Sequence, residues 1–531
     1  MKAIKLLLIL IILTVAAYFA AVWYSGNQIQ KNYEEKIARF SEQLKNNFPE
    51  IKITQQSYEK SFFSAKSVLT VEVKEKPSVL LFRGWCSFVD KPALELLPDS
   101  QYIRQTHDMC TEFQAGKTFA EATYPMLHGG ELSGEEALYF KYHITNDITH
   151  GPWLGSKGMG MASIQSKVSV EADHLPAGMK DYIDSLQIET VKSFSNDYDT
   201  HIVGNKIEEL LVFEDSVRLG FDGFDLHLVT SDKRMKMDTR LTMPRFYYEL
   251  VQPLEDIGPH RVEVTDVVNS SSGLGPDAPF NLFSNGRSAV SIGRVEVTLP
   301  SLEGKWVRCE NLKGETENAL KDKLVSSDQK FVTQCSTNLL APDLNVAVDV
   351  VYKLKNINGD SFIKLGKAYI QTVVKAIEAE SGDRYVSRDE VVMQFLKTIE
   401  ENLPDFVAPG PEMFSEYTVS VNNHKDIFKM TSEIKFKPLT EEEKSMAWYL
   451  MLPSKLSAKI TYSVSADVFE NGLPEYDIEP LSGFANEIEN KSKFEKPLII
   501  KDGERYKLIY GYDGGNIILG EERISLTDLF K

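Results

Sequence analysis

Leu344-Asn345-Val346-Ala347-Val348-Asp349-Val350-Val351-Tyr352-Lys353-Leu354 decides the fold class. Leu344, Val346, Val348, Val350, Tyr352 and Leu354 take every second position, which is the period of a strand with one buried face. The pattern returns in Phe428, Met430, Ile434 and Phe436, set between Lys429, Thr431, Glu433 and Lys435, and again over 456–468. Shorter versions lie at 67–74, 167–172, 224–229 and 295–299. One-sided alternation belongs to antiparallel sheet rather than to the continuous apolar strands of a doubly wound α/β fold. The expected class is α+β and β-dominated, an elongated antiparallel-sheet body with several packed helices.

Turns and helices fill in around the strands. Asp513-Gly514-Gly515-Asn516 and Asn422-Asn423-His424-Lys425-Asp426 each separate two strand patterns, as hairpin turns do. A helix is expected over 362–379. Ser387 and Glu390 form a capping box for another over 391–402 that stops at Pro404, and Thr440 opens one over 440–450. A short helix is expected at 247–254, after Pro244. The serine-rich stretch beginning Asn269-Ser270-Ser271-Ser272-Gly273 reads as a loop at 269–280, dividing a β-rich region at 49–268 from a second at 281–531.

The N-terminus places the chain. Lys2 and Lys5 precede an apolar run from 6 to 24 that closes on Trp23 and Tyr24. At ~1.5 Å rise per residue the run covers close to the ~30 Å bilayer core, with the lysines cytoplasmic and the aromatic pair at the far interface. Residues 1–26 are therefore read as cytoplasmic tip and transmembrane anchor. Ile29, Tyr33, Ile37, Phe40, Leu44 and Phe48 follow at helical spacing, so 27–48 reads as an amphipathic stalk helix. The competing reading is a signal peptide cut near Val15-Ala16-Ala17. Either way the body lies outside the cytoplasm.

Four cysteines fit that compartment. Cys86 with Cys110 and Cys309 with Cys335 read as two local disulfides, a zinc site being the alternative without a Cys-x-x-Cys to support it. The net charge of −18 excludes a phosphate-neutralising nucleic-acid binder.

Several motifs resemble one family. Val22-Trp23-Tyr24-Ser25-Gly26, Tyr58-Glu59-Lys60-Ser61-Phe62-Phe63-Ser64-Ala65, His150-Gly151-Pro152, Met161-Ala162-Ser163-Ile164, Gly515-Asn516-Ile517-Ile518-Leu519-Gly520 and Leu526-Thr527-Asp528-Leu529-Phe530 look like the YdgA/YihF-type family of Gram-negative inner-membrane proteins. The similarity spans nearly the whole chain, and the cysteine-bearing segments depart from the family pattern. The resemblance implies a single-pass inner-membrane protein of unknown function and supplies no catalytic residues.

Catalysis must then be sought in the residues. His150 beside Gly151-Pro152 is suited to a base or a metal ligand, or to bracing a turn, and the brace is the expectation. His128, His143 and His150 together form the alternative of a metal-dependent hydrolase. No His-Glu-x-x-His, Gly-x-Ser-x-Gly, Walker or dinucleotide motif is present, and the glycines at 155, 158 and 160 have the wrong spacing for a phosphate loop. The expectation is a protein without active site or cofactor, acting as a non-enzymatic scaffold or binding module. Its partners would be the inner membrane, a second copy through the stalk, or lipid, with acyl-chain binding or transfer as the alternative function.

Overall fold

Helix α1 (Lys2–Asn47) is a single helix, so the apolar run and the amphipathic stretch after it form one continuous element. The computed structural model describes residues 2–47, 51–75, 138–172, 178–195, 197–212, 217–231, 236–251, 260–274, 285–299, 305–338, 344–359, 361, 388–444, 453–476, 479–483, 485 and 497–525. Side chains 2–12 lie outside the described set, which removes Lys2, Lys5 and the first part of the apolar run. Among the described residues no helix is long and apolar enough to cross a membrane. Cys86, Cys110, His128, the 362–379 helix and the Leu526–Phe530 motif also lie outside it.

The chain divides into two compact units, cut between Phe246 and Tyr247. In the first, β1 (Ile51–Lys60), β2 (Ser64–Glu75), β3 (Leu138–His150) and β4 (Ala162–Ala172) form an antiparallel meander. After α2 (Met179–Ser185) it continues through β5 (Gln187–Lys192) and β6 (Tyr198–Gly204). The hairpin of β7 (Ile207–Val212) and β8 (Val217–Phe221) follows, and β9 (Phe224–Ser231) returns to pair with β6 and with β10 (Lys236–Leu250).

The stalk is not free. Ile29 packs in a core with Ala65, Ile148, Met161 and Ala162, and Ile37 in another with Leu69 and Val71, so the apolar stripe of α1 covers one face of β1–β4. Alternation explains the match: Leu69, Val71 and Val73 share a face, and a helix at i, i+4, i+8 presents Ile29, Tyr33 and Ile37 to it.

The second unit is a longer meander. It runs through β11 (His260–Leu274), β12 (Gly286–Leu299), β13 (Lys305–Lys321), β14 (Leu324–Thr337) and β15 (Leu344–Asn358). Helix α3 (Arg388–Val407) precedes β16 (Glu412–Val421) and β17 (His424–Phe436). The one-turn α4 (Glu441–Lys444) leads towards β18 (Leu456–Ser465) and α5 (Ala466–Asn471). Last come β19 (Ile499–Asp502), β20 (Arg505–Asp513), β21 (Asn516–Leu519) and β22 (Glu522–Ser525), with β20 paired to β18. Cys309 and Cys335 face each other across β13 and β14 and are disulfide-bonded.

Four local expectations are corrected. The serines at 270–272 lie within β11, laddered to Arg287, Ser288 and Ala289, because backbone pairing needs no apolar side chain. Residues 247–250 belong to β10, the strand continuing through Pro244. Helix α3 passes Pro404 and ends at Val407; a proline here lacks its own amide donor, but its carbonyl still accepts from Ala408 N at 2.8 Å. Strand β18 stops at Ser465, whose Oγ accepts from Val468 N and caps α5.

Candidate functional site

The 22–26, 58–65 and 150–152 motifs meet at one end of the first unit. Lys60 pairs with Ala65 across the β1–β2 turn and His150 with Ala162 across the β3–β4 connection, so both turns leave the same sheet end. His150 N donates to Phe63 O at 3.0 Å and Gly151 N to Met161 O at 3.1 Å. The ring of His150 is buried. A methyl on Gly26 would sit 2.5 Å from its Cε1, and one on Gly151 would sit 3.2 Å from Val22 Cγ2. Gly151 also adopts φ +145°, open to glycine and strained for other residues. His150-Gly151-Pro152 is therefore the seat on which α1 rests, with glycines on both sides of the contact.

The three-histidine metal reading fails on geometry. His143 and His150 lie on one strand seven residues apart, on opposite faces and about 23 Å distant at ~3.3 Å per residue. His143 instead lies 3.1 Å from Thr70 Oγ1 and 3.3 Å from Glu171. Among the described residues no group of three metal-capable side chains converges.

A polar cluster that the sequence reading passed over lies on the same unit. Glu189, His201, His227 and Arg240 stand in one row across β5, β6, β9 and β10. His201 Nε2 is 2.9 Å from Asp225 Oδ1, and His227 Nε2 is 2.7 Å from Asp199 Oδ1. The two imidazoles meet edge to face at 6.1 Å. With Lys157, ion-paired to Glu189 at 2.6 Å, they line a depression of about 620 Å³. The sequence signal is Asp-x-His written twice, at Asp199-Thr200-His201 and Asp225-Leu226-His227. The side chains are about half exposed, so water competes for every bond and the pairs add little stability. The arrangement sets each imidazole Nε2 within hydrogen-bond reach of a carboxylate oxygen.

The second unit offers an extended surface. Val290, Gly314, Phe331, Val350, Tyr417, Met430, Tyr462 and Leu508 stand opposite one another in turn, an apolar row across eight strands. The adjacent register carries Asp349, Thr418, Lys429, Ser463 and Lys507 on the other face. Val290, Phe331, Tyr352 and Tyr510 are each more than a third exposed on the apolar side.

Comparison with known proteins gives one match. No curated protein and no solved structure matches the chain. The family described as bacterial protein of unknown function, DUF945, matches over residues 1–476, and the chain belongs to that family.

Proposed function

We propose that the chain is a membrane-anchored envelope protein, its 6–24 run crossing the bilayer and its two β units forming a non-enzymatic scaffold or binding module on the far side. The observation that carries this reading is the continuity of α1. The helix leads from the charge-free run through Val22, Ile29 and Ile37, all buried, and so joins anchor to body without a flexible linker. The lysines at 2 and 5 and the aromatic pair at 23 and 24 fit a cytoplasmic start and an outer interface. The YdgA/YihF-type resemblance supports the inner membrane and a periplasmic body. The test is alkaline carbonate extraction of cell membranes. The expected result is retention of the full-length chain in the pellet, and release into the supernatant overturns the anchor.

Lipid binding is favoured as a second reading by one observation, the partly exposed apolar row of the second unit. A face of this kind suits acyl chains laid across the strands. Native mass spectrometry with lipid extraction on residues 27–531, prepared without detergent, is expected to show bound lipid in stoichiometric amount. A clean unliganded mass removes the reading.

A further inference from the structure

Large apolar side chains stand exposed at the end of the first unit where α1 arrives. Phe62 and Phe63 form the tip between β1 and β2 and are 46% and 48% exposed. Trp153 and Met159 crown the β3–β4 connection at 60% and 76%. Phe194, 44% exposed, stands in the β5–β6 turn at the same end. Single exposed apolar residues are ordinary, but five at one sheet end are a patch.

Their depth relative to α1 is fixed by contact. The Phe19 ring lies 5.7 Å from Phe62 and 6.3 Å from Phe63. Phe19 precedes Trp23 and Tyr24 by about 6–7.5 Å of helix, at ~1.5 Å per residue. The hairpin tip thus touches α1 inside the aromatic pair that closes the apolar run. The second tip is built to hold its shape: Trp153 and Met159 pair as a β-bridge, and Leu154 N donates to Gly158 O at 2.8 Å. Gly151 packs against Val22, which ties this connection to the same turn of α1.

We propose that this end of the first unit is a bilayer-binding surface, with Phe62, Phe63, Trp153 and Met159 entering the outer lipid interface around the point where α1 emerges. The inference rests on the 6–24 run being the anchor. Its occupant is lipid because the patch is continuous with the apolar run itself. Aromatic rings at headgroup depth and apolar tips at the acyl boundary match such an interface. Two tips beside the helix hold the sheet at a fixed attitude to the membrane, where α1 alone would leave the body free to roll about the helix axis.

The test uses the full-length chain in nanodiscs of phosphatidylethanolamine and phosphatidylglycerol, with p-benzoylphenylalanine placed singly at 62, 153 or 159. Position 180 is the control, since Lys180 is exposed on α2, in the β4–β5 connection that leaves the opposite end of the same sheet. Lipid adducts roughly tenfold above those at 180 are expected at the three positions. Adducts no higher than at 180, in a chain that resists carbonate extraction, overturn this surface and leave the anchor standing. Release by carbonate overturns both. A second readout leaves the tips otherwise native: lipid spin-labelled near the headgroup should quench the emission lost on Trp153→Phe by about twofold or more, and an unquenched difference contradicts the proposal.

Discussion

Gly26→Ala puts a methyl group 2.5 Å from His150 Cε1 and 3.0 Å from both ring nitrogens. Non-bonded carbons rest at about 3.5–4.0 Å, so the ring or the helix must move by about 1 Å. The ring is 3% exposed and cannot swing into solvent, while α1 is held by Ile29 and Ile37 beyond it. Overpacking of this kind costs about 1–3 kcal/mol. Helix propensity acts the other way, since alanine in a helix interior is better than glycine by about 0.8–1.0 kcal/mol. The net expectation is a loss of up to about 2 kcal/mol in the native background. In His150→Ala the obstruction is gone, and the same substitution should stabilise by a few tenths to about 1 kcal/mol. The sign reversal is the signature, read by urea unfolding of the full-length chain in detergent with the four-member mutant cycle. Additive effects in the cycle, Gly26→Ala acting equally with and without the His150 ring, would refute the seating of α1 on His150.

Three further outcomes are expected. Replacing Cys309 and Cys335 by serine should cost about 3 kcal/mol, the loop entropy of a separation of 26 residues, measured by chemical unfolding; equal stability would contradict it. Gly515→Val should cost about 1–2 kcal/mol, because the Gly514-Gly515 turn joining β20 to β21 holds φ +53° and +92°, and an unchanged midpoint would contradict that turn. Burial first, then the charge of Glu34 and the neighbouring Tyr33, push the Tyr58 hydroxyl up to about 12. A phenol raised in the folded state contributes its stability in full below pH 10 and loses it as pH rises towards 12. Absorbance titration of the parent against Tyr58→Phe should therefore lose one tyrosine that ionises near pH 12, and a titration unchanged by the substitution refutes the assignment.

Much of the fold was legible because strands with one wet face write their period into the sequence. Val346, Val348 and Val350 announced β15, and Asp513 to Asn516 announced the last tight hairpin. The failures have physical causes. Ala466 and Val468 keep a strand's period while lying in a short helix, since alternation over three residues cannot separate the two states and Ser465 decides by capping. Residues 270–272 carry no apolar signal, and their strand exists through ladder bonds alone. The role of His150 was legible only as a turn, because the partner it needs, Gly26, is far away in sequence. The Asp-x-His repeat was visible as spacing, but its meaning depended on β6 lying beside β9, which hydrophobic period does not fix.

The central claim is that α1 carries the body across a membrane and seats it on the far side. The most direct measurement is a dual reporter fused after Lys531, alkaline phosphatase in one version and a cytoplasm-dependent fluorescent protein in the other. The account predicts phosphatase activity without fluorescence, and fluorescence without phosphatase activity would contradict it.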